Sequence, residues 1–326
     1  MRGFLKKLTG FTGLAAVIYL GVIAVMANTL QPVLYNGRPV TNVPLNQPDG
    51  GLTVLRFREA DAFGPVDVLF MGSSHCYRTF DTAWYAAQGV RTFNLGSSAQ
   101  GPLITRHLAS RYLDQLDPQL VVLEVYSETL KSNSAESLLD QLANRPLDSD
   151  LVRMTAAVGG VKAWNALLVQ ALRFTGEPVE SREPEYEPAN GHYVSGGFVR
   201  RDGHSGGLPA YEGSPTSLNG KQLDSLGKLI ETVQGQGRKI VLVGQPLPAA
   251  TLAAITDYVD IQNTVAAVAA AHNVPFYDFN GLVKKAGSRD LHDPALFYDY
   301  HHYNGDGVAA FNPVFLELLR RDGWLP

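Results

Sequence analysis

The stretch Val66–Cys76, VDVLFMGSSHC, decides the fold. Val66, Val68, Leu69, Phe70 and Met71 make a short apolar run rich in β-formers, the pattern of a strand buried on both faces of a parallel sheet. Gly72-Ser73-Ser74-His75 then supplies a turn: a glycine free to adopt unusual backbone angles, followed by two hydroxyls. These lie at the carboxyl end of the strand, where open α/β sheets place their ligand sites. A serine nucleophile fits this position. So does a plain strand-to-helix turn in which Ser73 or Ser74 caps the next helix.

The far end of the chain bears on that choice. In Phe297-Tyr-Asp-Tyr-His-His-Tyr-Asn-Gly-Asp-Gly307 an aspartate, Asp299, stands three residues before His302, just ahead of a C-terminal helical pattern. A nucleophilic serine needs a base within hydrogen-bond reach, and the base needs a carboxylate to fix its tautomer and stabilise the imidazolium. One loop carrying Asp-x-x-His supplies both. His301 would face elsewhere on such a turn, and His292-Asp293 is a weaker rival because Pro294 follows it.

Gly72-Ser73-Ser74 resembles the Gly-Asp-Ser block of the SGNH (GDSL-type) hydrolases. Asp299–Gly307 is similar to their closing Asp-x-x-His-Leu-Asn-x-x-Gly block, and Asn94-Leu95-Gly96 looks like their second block. The likeness covers roughly 66–130 and 238–320. It implies a flavodoxin-like three-layer sandwich with a mainly parallel five-stranded sheet. It also implies Ser74, His302 and Asp299 as catalytic residues, with the amides of Ser74 and Gly96 at the oxyanion. Where the family carries Gly-x-Asn-Asp, this chain has Tyr126-Ser127-Glu128-Thr129. A carboxylate at Glu128 donates no hydrogen bond unless protonated, so either Ser127 or another group replaces the missing donor or turnover is slow. Tyr126, Glu128 and Ser98 are then expected as substrate contacts. Ser73 stands in place of the family's aspartate. These departures resemble membrane-anchored branches of the superfamily, including the D-alanyl transfer protein of teichoic-acid modification.

The 326 residues are 45% hydrophobic and 18% charged, enough for one α/β core. A net charge of −4 without a basic stripe argues against nucleic acid as a partner. The single cysteine, Cys76, excludes an internal disulfide and reads as a small buried filler. A zinc cluster of His75, Cys76, His301 and His302 lacks a recognisable ligand spacing, so no metal or other cofactor is expected.

At the N-terminus Arg2, Lys6 and Lys7 precede an uncharged stretch, of which Gly10–Ala27 is almost wholly apolar. As a helix at about 1.5 Å per residue it spans roughly 27 Å, close to a bilayer's hydrocarbon core. The basic flank stays cytoplasmic and the rest lies outside, in the periplasm or extracellular space. A signal peptide cleaved after Val25-Met26-Ala27 is the rival, and the length of the run favours an uncleaved anchor. Residues 31–64, with Pro32, Pro39, Pro44 and Pro48, read as a tether that lays Leu52–Phe57 on the domain as an extended piece.

Strand and helix alternate from Val66 to Phe279, which gives a parallel sheet with right-handed crossovers. Expected elements are a helix at Thr79–Gln88, strands at Val90–Asn94, Leu120–Val125, Lys239–Val243 and Pro275–Phe279, and a helix from Pro102. Residues 131–215 interrupt the core. There, Leu151, Met154, Val158, Val161, Trp164, Leu168 and Leu172 form a helical stripe weakened at Gly159-Gly160. Glu177–Thr216 is either a lid bringing His192, Tyr193, Arg200, Arg201 and His204 over the site or a surface excursion. The function expected is an extracytoplasmic serine esterase or O-acyltransferase acting on an envelope ester or glycan, with an integral-membrane acyltransferase as a candidate partner. The alternative is a non-catalytic envelope-binding or acyltransferase-accessory module that keeps the fold.

Overall fold

The computed structural model describes residues 1–29, 34–35, 38–39, 52–173, 191–205, 217–281 and 290–326. In chain order the elements are α1 (Arg2–Thr29), the short strands β1 (Leu34–Tyr35) and β2 (Arg38–Pro39), α2 (Thr53–Phe63), β3 (Val68–Met71), α3 (Ser74–Thr79), α4 (Thr82–Ala87), β4 (Thr92–Asn94) and α5 (Pro102–Leu116). Then come β5 (Leu120–Glu124), α6 (Ser127–Lys131), α7 (Ala135–Asn144), α8 (Ser149–Val158), α9 (Gly160–Ala171) and a hairpin of β6 (His192–Val194) with β7 (Phe198–Arg200). The chain closes with α10 (Gly220–Gly235), β8 (Lys239–Gly244), α11 (Ala249–Ala254), α12 (Tyr258–Ala271), β9 (Phe276–Asp278) and α13 (Gly305–Arg321).

Five strands form one sheet in the order β4-β3-β5-β8-β9, and every pair is parallel. The expected flavodoxin-like, three-layer architecture is therefore present. Alternation along the strands sorts the core into two layers. Leu69, Met71, Val121, Leu123, Ile240 and Leu242 face α5, α10 and α12, while Val68, Phe70, Leu120, Val122, Val241 and Val243 face α3, α4 and α13. Strand order reverses between β3 and β5, so their carboxyl ends flank the crevice where such sheets carry sites.

Leu52–Phe57 is not extended: it opens α2. Leu52 takes a left-handed conformation (φ 55°), and Val54, Phe57 and Ala60 recur at helical spacing and are buried. The Phe57 ring lies 5.8 Å from that of Tyr112 on α5, so the folded unit reaches back to Leu52. The proline-rich part of the tether, apart from β1 and β2, lies outside the described residues. The helix expected at Thr79–Gln88 is α4, and a separate short helix, α3, precedes it. α3 starts at Ser74 itself, and Asp81 accepts from the amides of Ala83 and Trp84 to start α4.

α8 ends at Gly159, and Gly159 and Gly160 both have positive φ (74° and 82°). The stripe does not run through them. Leu151 and Met154 are buried on α8, whereas α9 buries Ala163, Ala166, Leu167 and Val169 and exposes Val161 and Trp164. α1 is long and apolar enough to cross a membrane. It packs beside α9: Tyr19 donates to Asn165 at 2.5 Å, Asn28 donates to the Leu172 carbonyl at 2.8 Å, and Ile23 is fully buried.

Of the segment Glu177–Thr216, the described part is 191–205. It is fastened on three sides. Asn94 donates to the Gly196 carbonyl at 2.7 Å, Arg56 to that of Gly197 at 2.9 Å, and Thr82 to that of Ser195 at 2.6 Å. Phe198 and Val199 are fully buried. Beyond β7, the Ser205 amide bonds the Tyr298 carbonyl at 2.7 Å and the His204 ring bonds that of Phe297 at 2.7 Å. This stretch thus holds the loop that carries Asp299 and His302.

Candidate active site

The turn after β3 is built around a buried carboxylate. Gly72 leaves the strand with φ +150°, and a Cβ there would come within 2.5 Å of Glu124 Oε2. The same oxygen accepts from the Ser73 amide at 2.7 Å and from the Ser73 hydroxyl at 2.8 Å. Ser73 Oγ in turn accepts from the His75 amide at 3.2 Å, so Ser73 is the helix cap. Ser74 is left with its hydroxyl uncommitted to the helix. As the first residue of α3 its amide has no carbonyl one turn back to bond.

Ser74 Oγ lies 2.7 Å from His302 Nε2, and His302 Nδ1 lies 2.8 Å from Asp299 Oδ2. Asp299 Oδ1 accepts from the amides of His301 at 3.0 Å and His302 at 2.8 Å, which fixes the carboxylate by its own loop. An ionised carboxylate only accepts, so the imidazole proton sits on Nδ1 and the Nε2 lone pair faces the serine hydroxyl. The loop is tied at both ends. Tyr298 N bonds His302 O at 2.8 Å, and Asn304 caps α13 through the amides of Asp306 and Gly307 while donating to Ala295 O at 2.9 Å.

Burial lowers the pKa of His302 to about 4, partly offset by Asp299. For Asp299, burial pushes the carboxyl up, but the His302 hydrogen bond and the nearby imidazoles outweigh it and hold it well below the usual range. The base is therefore neutral at pH 7 and its partner ionised.

A second pair of imidazoles lies alongside. His75 Nε2 is 2.9 Å from His301 Nδ1, and the His75 ring stands 4.1 Å from Tyr126. Burial first, then the charge of His301 on His75 and of His302 on His301, lowers the pKa of both. The donor atoms of His75, His301 and His302 lie within 4.8 Å of one another. The imidazoles are engaged among themselves and with Ser74 and Asp299. Cys76 is not with them: its thiol donates to Asn94 Oδ1 at 3.2 Å.

The remaining expected site residues are placed as follows. Gly96 packs on the turn, where a Cβ would lie 2.8 Å from the Ser73 carbonyl, but its amide donates to Asn94 Oδ1 at 3.1 Å. An oxyanion would have to share that donor. Ser127 is buried at the exit of β5 and its hydroxyl has no hydrogen-bond partner. The Glu128 carboxylate faces Lys131 at 3.1 Å, and Lys131 also pairs with Asp257 at 2.9 Å. Ser98 is held through its amide by Asp140 at 3.1 Å. His292 bonds the Leu247 carbonyl at 2.8 Å.

Sequence reasoning passed over Glu124, treating it as one more strand residue. Its signal was there: a carboxylate ending an otherwise apolar, fully buried strand. Burial raises its pKa to about 7 against the Ser73 hydrogen bonds. Glu124 Oε1 has no hydrogen-bond partner, and His75 Nδ1 stands 3.9 Å away. With His75 shifted down, its imidazole meets Glu124 as a neutral group, and Glu124 itself exchanges its proton near neutral pH. A raised carboxyl pKa contributes stability that is present below the unfolded value and is lost as pH rises through about 7. His302, shifted down, contributes the opposite slope, lost as pH falls from 6.5 through about 4. Above pH 6.5 the Glu124 slope stands alone. The wild type is expected to lose roughly 3 kcal/mol at most from this group as pH rises from 4.5, about 1 kcal/mol of it above pH 6.5, and Glu124→Gln to flatten that last part of the fall in melting temperature between pH 6.5 and 8.5. An equal fall in both proteins would refute the assignment.

No protein-family model matches the sequence, and no curated protein matches it. Among solved structures the chain is similar to a proposed acylhydrolase of Bacteroides fragilis, at 12% identity and TM-score 0.43, over 85% of this chain and 99% of that one. It is similar also to a GDSL-like lipase of Bacteroides thetaiotaomicron, at 13% identity and TM-score 0.41, over 84% of this chain and 100% of that one. At such similarity the atoms of the site itself carry the functional reading.

Proposed function

We propose that this chain is a membrane-anchored serine acyl hydrolase or O-acyltransferase working through an acyl-Ser74 intermediate. The observation that carries the reading is the continuous hydrogen-bond chain Ser74 Oγ to His302 Nε2, His302 Nδ1 to Asp299. His302 takes the Ser74 proton as Oγ bonds the ester carbonyl carbon, and the carbonyl π pair moves to oxygen. The Ser74 amide, with the Ser127 hydroxyl as the second candidate donor, faces that charge. Collapse expels the alcohol, which takes the proton from His302. Water or a hydroxyl acceptor, activated by the same base, then releases the acyl group.

The three residues resemble SGNH hydrolases in type and order. The anchor supports a substrate at the membrane or cell envelope, with the site outside the cytoplasm. An integral-membrane acyltransferase would load the acyl group if the acceptor is a glycan hydroxyl. The test is fluorophosphonate labelling of the full-length protein in detergent, with the adduct located by mass spectrometry. Label at Ser74 is expected. A folded protein that carries none, or carries it at Ser98, would remove the assignment and bring the non-catalytic reading forward.

A further inference from the structure

Three imidazoles converge beside the nucleophile. One ligand atom from each of His75, His301 and His302 lies within 4.8 Å of the other two, and His75 Nε2 is 2.9 Å from His301 Nδ1. Tetrahedral zinc at about 2.0–2.1 Å from each nitrogen sets its ligand atoms about 3.4 Å apart, so the His75–His301 contact has to open by only about half an ångström. His301 and His302 keep 15% and 12% of their side-chain surface exposed, which opens the cluster to solvent on the side of their loop. Ser74 Oγ, 2.7 Å from His302 Nε2, stands within reach as an oxygen ligand for the fourth position.

The far side of each ring carries what a metal-bound imidazole needs. A ligating histidine bonds the metal through one nitrogen and gives the proton on the other to a carboxylate or carbonyl, which fixes the ring. Here His302 Nδ1 lies 2.8 Å from Asp299 Oδ2, His301 Nε2 lies 3.9 Å from Asp299 Oδ1, and His75 Nδ1 lies 3.9 Å from Glu124 Oε1. The last of these oxygens has no hydrogen-bond partner. That leaves His302 Nε2, His301 Nδ1 and His75 Nε2 as the ligand atoms. In the direct contact, whichever of His75 and His301 donates turns a bare nitrogen toward its carboxylate. A metal at both contact nitrogens lets each ring carry its proton on the far side, and Glu124 with Asp299 matches the charge of one dication.

Positive charge nearby opposes such an ion. Arg78, buried one turn after Ser74 on α3, acts on His301 and His302, and Arg201 Nη1 stands 3.9 Å from Asp299 Oδ2. Their repulsion favours a reversibly bound ion over a resident one. We propose that His75, His301 and His302 form a zinc site that switches the nucleophile off: with Zn²⁺ on Nε2, His302 has no lone pair left to take the Ser74 proton. The inhibition rests on His302 as the base of Ser74, whereas the site rests on the three imidazoles and their carboxylates alone.

The full-length protein in detergent, without a polyhistidine tag, is titrated with Zn²⁺ while p-nitrophenyl butyrate hydrolysis is followed, and with Co²⁺ as a spectroscopic probe. Zn²⁺ is expected to inhibit saturably, with recovery on adding EDTA, and to raise the melting temperature. His301→Ala and His75→Ala are each expected to raise the half-inhibiting Zn²⁺ concentration by at least about tenfold relative to wild type. Co²⁺ is expected to give the intense visible absorption of a tetrahedral ion in wild type and to lose it in both variants. Absorption absent from wild type, or equal in wild type and His301→Ala, would overturn the site, and binding without inhibition would overturn the switch. His75 is buried, so if His75→Ala does not fold, His301→Ala decides. Co²⁺ absorption does not depend on turnover. If Ser74 fails to label in protein treated with EDTA, the acyl-enzyme reading falls, and the Co²⁺ spectra of wild type and His301→Ala still decide the site.

Discussion

Replacing Ser74 with Ala, or His302 with Ala, is expected to lower ester turnover by about 10⁴- to 10⁶-fold, and the double variant to lose no more than the worse single one. The two act as a unit. At 2.7 Å from Nε2 the serine proton has one acceptor, and without that base the hydroxyl is a weak nucleophile at pH 7. Ser74→Ala is a clean test because Ser73, not Ser74, caps α3, so melting should be unchanged. His302→Ala retains the backbone amide that holds Asp299 Oδ1, and its loop remains tied through Tyr298 and Asn304. Initial rates on a neutral ester, with melting curves as the folding control, give the result. Ser74→Ala that keeps wild-type turnover would mean that the nucleophile lies elsewhere.

Much of this was legible in the sequence, for physical reasons that also mark where legibility stopped. Val68–Met71 and Leu120–Glu124 are strands buried on both faces, so each prints as a continuous apolar run. Asp299 and His302 share one turn, so their spacing reports their geometry directly. The pairing of Ser74 with His302, 228 positions apart, was inferable only through the fold, because parallel strands deliver their exits to one rim. What failed to show were groups whose role comes from neighbours remote in sequence. Arg78 reads as an ordinary helix residue until its burial is known. Arg201 was expected over the site only as one of five residues of a lid, and its place beside Asp299 shows only in the fold. α2 was masked by the prolines and glycines before it, and its stripe of Val54, Phe57 and Ala60 is short. Gly96 stands where the second block places it, yet the Asn94 side chain that takes up its amide is two residues away and could not be oriented from sequence.

Asp299→Asn is the second large effect expected, about 10⁴-fold in kcat, with the fold retained. The reason lies in which atoms face Asp299. Its Oδ1 accepts the amides of His301 and His302, a role the carbonyl oxygen of asparagine repeats, so the amide nitrogen is driven to the position of Oδ2. There it meets His302 Nδ1 as a donor. Imidazole answers by accepting at Nδ1 and carrying its proton on Nε2, which removes the lone pair facing Ser74 Oγ. The variant should also lose the carboxylate that opposes the burial of His302, so its imidazolium becomes harder still to form. Fluorophosphonate labelling should therefore fall with kcat. In the wild type the acid limb of kcat/KM is expected near pH 4, where free His302 takes its proton, rather than near 6.5. An Asp299→Asn protein that turns over ester at the wild-type rate would show that the carboxylate only shapes the loop.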